Sequence, residues 1–125
     1  MQLTTTVSID PQHSMARVAL SGGVNTDTAP AFEARLNEVL AEGHELTVLD
    51  MKELEYISSA GLRVIFKAAK WTRGEGRRLA AVNRKPHIDK VFEILKALPD
   101  MAVFASDQEM DDYLDVIQQQ ARDSD

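Results

Sequence analysis

The chain of 125 residues has no cysteine and no long apolar run, and each absence excludes a class of protein. Without cysteine there are no disulfides and no thiolate ligands for a metal, which favours a cytoplasmic protein. No apolar stretch reaches the roughly 20 residues that a membrane helix needs, and the opening MQLTTTVSID has no signal-peptide pattern, so no membrane insertion is expected. The net charge of −6 argues against direct binding to nucleic acid.

What remains is the composition of one folded domain, 44% hydrophobic and 27% charged. Two segments in which apolar and polar residues alternate come first and predict a β-hairpin. Helical and strand patterns then follow one another along the chain. The predicted strands are LTTTVSI, MARVALS (ended by GGVNTDT), ELTVLD, RLAAV and MAVFA, and the predicted helices begin near Pro30, at the serine pair, at Pro86 and after SDQEM. The sequence thus predicts an α/β fold, a single domain over residues 1–125. Its central mixed sheet has about five strands with about four helices, and its tail is frayed from about residue 119.

The segment YISSAGLR, residues 56–63, places two serines where a strand meets a helix. One hydroxyl at this position has a structural use, because it accepts a hydrogen bond from a helix amide that lacks an intrahelical partner. The second hydroxyl is the unusual feature. A phosphate would be favoured by the same amides and the helix dipole, and Ala60 and Gly61 are expected to leave the approach open.

The longer pattern LSGGVNTDTAPAFEARL, ELTVLDMKELEYISSAGLRVI and RLAAVNRKPHIDKVFEI resembles the STAS family (sulphate transporter and anti-sigma factor antagonist). The likeness runs from about Leu3 to Leu114 and is strongest to the free-standing bacterial anti-sigma factor antagonists. It implies a partner-switching module that binds an anti-sigma factor, itself a GHKL-type serine kinase, while unphosphorylated. The kinase would release the module by phosphorylating it, and a PP2C-type phosphatase would restore it.

The resemblance also assigns residues. Ser59 matches the phosphorylated serine, Gly61 the glycine and Leu62 the leucine of the family motif. Ser58 and Asn25 stand where that family frequently has aspartate, which makes Ser58 the second choice of acceptor. The predicted partner-binding surface comprises Asn25, Thr26, Asp27, Ser58, Ser59, Ala60, Gly61, Leu62, Arg63, Val64 and Trp71.

Helical periodicity divides the second predicted helix into two apolar sides. It directs Leu62, Ile65, Phe66 and Ala69 toward the sheet and leaves Val64, Ala68 and Trp71 roughly opposite. Two explanations of that second stripe stay open. It is covered by a neighbouring helix, or it is a docking surface for a partner.

No catalytic or metal-binding constellation emerges, and no cofactor is expected. His13, His44 and His87 are dispersed, and no Gly-x-Ser-x-Gly elbow surrounds the serine pair. Two rival functions remain. One is a kinase-independent STAS subunit of a transporter or other complex; the remote one is a small hydrolase with Ser59 as nucleophile.

Overall fold

The computed structural model describes residues 2–94 and 102–103, which form one mixed sheet with helices on it. Strand order follows chain order, and a 3₁₀ turn at Pro11–His13 joins the first two strands. The strands are β1 (Leu3–Asp10), β2 (Met15–Val24), β3 (Leu46–Ile57), β4 (Arg78–Val82) and the short β5 (Ala102–Val103). The helices are α1 (Ala29–Ala41), α2 (Ser59–Gly74) and α3 (Pro86–Ile94).

The pairing confirms the predicted hairpin and the predicted mixed sheet. β1 pairs antiparallel with β2, and every later neighbouring pair in the described sheet is parallel. Parallel strands place their carboxyl ends at one edge of the sheet. The segments that follow β2, β3 and β4 therefore lie along the same edge, and the serine pair is in the middle one.

The main core lies between one face of the sheet and the three helices. Its largest fully buried side chains include Phe32 and Leu36 of α1, Ile65 of α2 and Ile88 of α3. A smaller cluster, made of Leu46, Val48, Ala80 and Val82, occupies the opposite sheet face. Burial on both faces explains why the first residues of β3 and most of β4 form nearly continuous apolar runs.

Two strand boundaries and the number of helices differ from the sequence prediction. β2 continues through the two glycines to Val24, because irregular register at Ala19/Ser21 and Gly22/Gly23 lets the strand follow β3 beyond the break. β3 is one strand of 12 residues that includes the charged MKELE segment. Three α-helices lie in the described part, one fewer than predicted; the expected final helix and frayed tail fall outside the described residues.

Candidate functional site

Hydrogen bonds join the end of β3 to the end of β2 immediately before α2 begins. The Ser58 amide donates to the Val24 carbonyl at 2.7 Å, one residue beyond the pairing of Val24 with Ile57. The junction is therefore fixed by backbone contacts, and the loop that follows Val24 begins beside the serine pair.

Ser58 caps helix α2. Its backbone is extended (φ −90°, ψ 173°), and its Oγ accepts a hydrogen bond from the Gly61 amide at 3.3 Å. The Leu62 amide donates to the Ser58 carbonyl at 3.0 Å, which closes the first helical turn. The half-buried Ser58 hydroxyl is thus engaged in local structure, as the capping role of serine predicts.

Ser59 is the first residue of α2 and its side chain is exposed. Within residues 2–94, its hydroxyl makes no hydrogen bond. The two adjacent hydroxyls therefore differ in availability: Ser58 holds the helix start, and Ser59 faces outward at the positive end of the helix dipole.

Gly61 has an inward role, contrary to the expectation that it leaves the surface open. It is buried, and a Cβ placed on it would lie 2.6 Å from Cγ1 of Val24 and 2.8 Å from Cγ1 of Ile57. Glycine is required here because the first turn of α2 packs directly on the ends of β2 and β3. Gly61 is accordingly removed from the surface that a partner can touch.

The loop between β2 and α1 is ordered by Asn25. Its Oδ1 accepts hydrogen bonds from the amides of Asp27 and Thr28, both at 2.9 Å, and its own amide donates to Thr28 Oγ1 at 2.9 Å. Thr28 Oγ1 in turn lies 2.9 Å from the Gly23 carbonyl, to which it donates. Asn25 therefore acts as a turn former, and the exposed residues of this loop are Thr26 and Asp27.

Of the two explanations left open for the second apolar stripe of α2, cover by a neighbouring helix holds for Val64 and Ala68. Val64 is 7% exposed and Ala68 is 5% exposed, and both belong to the main core, whereas Trp71 is 44% exposed. Helix α1 packs beside α2 and covers the stripe at its first two positions. Because α2 packs against both the sheet and α1, its buried side is shifted toward α1. Phe66, which was expected to be buried, is therefore only half-buried.

An apolar groove between α1 and α2 ends at Trp71. Its volume is about 550 Å³, and its lining includes Leu40, Ala41, Val64 and Ala68. The guanidinium of Arg77 lies 5.2 Å from the centroid of the Trp71 ring and donates to the Leu40 carbonyl at 2.9 Å. The Trp71 ring is thus held in place beside the groove while much of its surface stays exposed.

The segment after β4 contributes a third part of this sheet edge, which the sequence interpretation missed. Lys85 forms an ion pair with Glu55, and His87 Nε2 donates to the Glu55 carbonyl at 2.6 Å. Hydrogen bonding to Lys85 lowers the pKa of the Glu55 carboxyl. The available signal was topological: β4 ends at the same edge as β2 and β3, so its following segment had to lie near the serine pair.

The histidines offer no support for a hydrolase. His13 pairs with Asp10 at 2.7 Å and His44 with Glu42 at 2.9 Å, while His87 contacts the backbone of β3. None of these contacts involves Ser59. In the described part of the chain, no three His, Asp or Glu side chains are grouped to hold a metal ion.

A comparison with family models decides the family. The model described as the STAS domain matches residues 6–110. The chain belongs to the STAS family. This confirms the resemblance noted in the sequence, and the site described above lies within the matched residues. None of the helices in the described ranges combines the length and apolar character needed to cross a bilayer.

Two of the proteins similar to this STAS domain are described as anti-sigma factor antagonists. A putative anti-sigma factor antagonist, BtrV of Bordetella bronchiseptica, is 40% identical over 88 residues, which cover 70% of this chain and 76% of that protein. The crystal structure of an anti-sigma factor antagonist from Mycobacterium paratuberculosis has a TM-score of 0.75 at 24% identity, covering 94% and 95% of the two chains. SpoIIAA of Bacillus in its phosphorylated form has a TM-score of 0.67 at 14% identity, covering 88% and 99%.

Proposed function

We propose that this STAS domain is an anti-sigma factor antagonist that works by partner switching in the cytoplasm. Unphosphorylated, it binds an anti-sigma factor that is also a GHKL-type serine kinase; phosphorylation of Ser59 ends that binding. The observation that carries the proposal is the exposed, unengaged hydroxyl of Ser59 at the start of α2, beside a Ser58 hydroxyl that already caps the helix.

Similar proteins support this role. The relative in Bordetella bronchiseptica is described as a putative anti-sigma factor antagonist, and its identity of 40% over most of both chains makes a shared role the simplest inference. The phosphorylated SpoIIAA structure supports the view that this fold accommodates a phosphoryl group. The domain acts here by binding, without catalysis of its own.

The proposed switch needs no change of fold. The kinase transfers the γ-phosphoryl group of ATP to Ser59 Oγ, releasing ADP and a proton, and a PP2C-type phosphatase hydrolyses the ester to serine and inorganic phosphate. The modification adds roughly −1.5 to −2 charges. Because Ser58 supplies the cap, the helix start keeps its hydrogen bonds, and only a partner packed on this surface is displaced.

The proposed docking surface is narrower than the sequence suggested. Gly61 and Val64 are buried, so the accessible part near the switch consists of Thr26 and Asp27 in the β2–α1 loop together with exposed or half-buried residues of α2. Those α2 residues are Ser59, Ala60, Leu62 and Arg63. Trp71 is a separate contact point at the far end of the groove between α1 and α2.

The test is a binding measurement with the GHKL-type kinase encoded nearest to this gene. We expect Ser59→Ala to bind and to escape phosphorylation, and Ser59→Asp to bind at least about tenfold more weakly, because a new charge at the interface costs more than about 1.4 kcal/mol. Ser8→Asp on the exposed side of β1 is the matched control for added charge and should bind as the wild type does.

Each rival gives a different outcome. A kinase-independent subunit would tolerate both Ser59 variants with unchanged affinity for its partner. A hydrolase would turn over chromogenic esters or phosphoesters in a manner that Ser59→Ala abolishes. Phosphopeptide mapping that placed the phosphate on Ser58 instead would contradict the assigned switch residue, since the Ser58 hydroxyl is the capping group.

A further inference from the structure

Arg63 is an exposed cation of α2 beside the proposed switch. It lines a small groove of about 270 Å³ between α2 and the start of α1, together with Thr26 and Pro30 from the facing segment and Ala60 and Val64 from its own helix. The groove is thus bounded by Thr26 and the start of α1 on one side and by the first turns of α2 on the other.

The other charged residues that line this groove are already paired. Lys67 Nζ lies 3.0 Å from Oε2 of Glu33, so these two groups neutralise each other. Arg63 makes no hydrogen bond or ion pair with any described residue. Asp27, in the β2–α1 loop, is exposed and acidic, and Glu55, four residues before Ser59, is paired with Lys85.

Helical spacing brings Arg63 to Ser59. The two residues are four apart in a regular helix, so their side chains share a face with Cβ atoms about 6 Å apart. A guanidinium donates two parallel hydrogen bonds to phosphate oxygens, which a lysine ammonium cannot do. An arginine at this position therefore has the reach and the donor geometry to meet a phosphoryl group on Ser59.

We propose that Arg63 binds the phosphoryl group of phosphorylated Ser59 and holds it against the first turn of α2. This inference rests on the proposed phosphorylation of Ser59. In the unphosphorylated protein the same arginine is free to contact the partner, so phosphorylation both adds the dianion and withdraws a cation from the docking surface. Arg63 is thus a positioning residue for the switch rather than part of the phosphoryl transfer.

The experiment uses the full chain with phosphoserine inserted at position 59 during translation, so no kinase is required. The pKa of the phosphate is measured by ³¹P NMR titration in the wild-type background and with Arg63→Ala, Arg63→Lys or Lys70→Ala. Lys70 is the matched control because it is an exposed cation of α2 on the same helical face. Lys70 is eleven residues from Ser59, about 16 Å along the helix axis, and this distance exceeds the screening length in physiological salt.

We expect the phosphate pKa, ordinarily about 6, to rise by about 0.2 to 0.4 in Arg63→Ala and to stay unchanged in Lys70→Ala. Arg63→Lys should give a phosphate pKa between those of the wild type and Arg63→Ala, since lysine keeps the charge but not the paired donors. The Arg63 Nε–H resonance should shift on phosphorylation. Equal phosphate pKa values in the wild type and Arg63→Ala, or an equal rise in Lys70→Ala, would overturn this role of Arg63.

The result also separates this inference from the proposed function. If the phosphorylated chain is folded and loses its partner while Arg63→Ala leaves the phosphate pKa unaltered, only the role of Arg63 fails. If the phosphorylated chain does not fold, as judged by circular dichroism, both proposals fail, because a tolerated modification is the premise of each.

Discussion

The two adjacent serines predict opposite outcomes when each hydroxyl is removed. Ser58→Ala deletes the acceptor of the Gly61 amide and leaves a helix-terminal donor without its protein partner. Ser59→Ala deletes a hydroxyl that is exposed and makes no hydrogen bond within the described residues. The first change should therefore lower stability, and the second should leave it nearly unaltered.

The expected size follows from the geometry of the cap. Loss of a serine cap costs about 0.5 to 2 kcal/mol, and the 3.3 Å contact at a half-buried position places Ser58 near the middle of that range, at about 1 kcal/mol. For a chain of this size, about 1 kcal/mol corresponds to a fall in Tm of roughly 3 to 6 °C. The Ser59→Ala change should stay within about 0.5 kcal/mol, as is typical of exposed sites.

Urea and thermal unfolding of the wild type and both variants, followed by circular dichroism at one protein concentration, measure these differences. Ser58→Asp is a useful third variant, because aspartate also caps and should retain most of the stability. If Ser59→Ala were the more destabilising change, Ser59 would be the structural serine, and the assignment of cap and switch would have to be exchanged.

Two further predictions concern the packing of α2 on the sheet and a carboxyl group in β3. Gly61→Ala should lower stability by about 1 to 2 kcal/mol in urea unfolding, because its Cβ would clash with the stiff side chains of Val24 and Ile57; unchanged stability would show that the first turn of α2 has room to shift. Asp50 is buried enough to raise its pKa, but hydrogen bonds from the Lys52 amide, Arg17 and Asn83 outweigh burial and lower it. Because the folded-state pKa is the lower one, Asp50 stabilises the fold above its unfolded pKa of about 3.9, and this contribution is lost as the pH falls through the folded value. Asp50→Asn should therefore cost about 1 kcal/mol at pH 7 and flatten the loss of stability below pH 5, and an unaltered acid-unfolding curve would contradict the role of the Arg17 pair.

The order of elements could be read from the sequence because it depends on local patterns. Alternating residues marked β1 and β2, short apolar runs marked the beginning of β3 and most of β4, and the serine pair marked the start of α2. The extension of β2 through its glycines could not be read in this way. It depends on irregular pairing with β3, which is a contact between segments far apart in the chain.

The buried face of α2 was predicted only in part, for a related reason: Ile65 and Ala69 are buried as expected, but Leu62 and Phe66 are only half-buried. Periodicity locates an apolar stripe but not the number of neighbours that cover it, and α2 is covered by both the sheet and α1. The residues between those two neighbours, Val64 and Ala68, are consequently buried, and only Trp71 beyond them stays exposed. The inward role of Gly61 was hidden because a glycine at a helix start fits both an open surface and a close contact.

Neutral acceptors at two positions explain how this junction keeps its geometry while presenting little negative charge. Asn25 receives two loop amides through one oxygen, and Ser58 receives the Gly61 amide, so each makes hydrogen bonds that an aspartate carboxylate would also make. A carboxylate cap at position 58 would stand directly beside the phosphoryl group on Ser59 and oppose its charge. With serine there, the dianion has polarised amides and Arg63 beside it on α2 rather than a carboxylate at the adjacent position. We therefore expect the Ser58→Asp variant, although well capped, to raise the pKa of the phosphate on Ser59, whereas a pKa equal to that of the wild type would show that the junction screens the added charge completely.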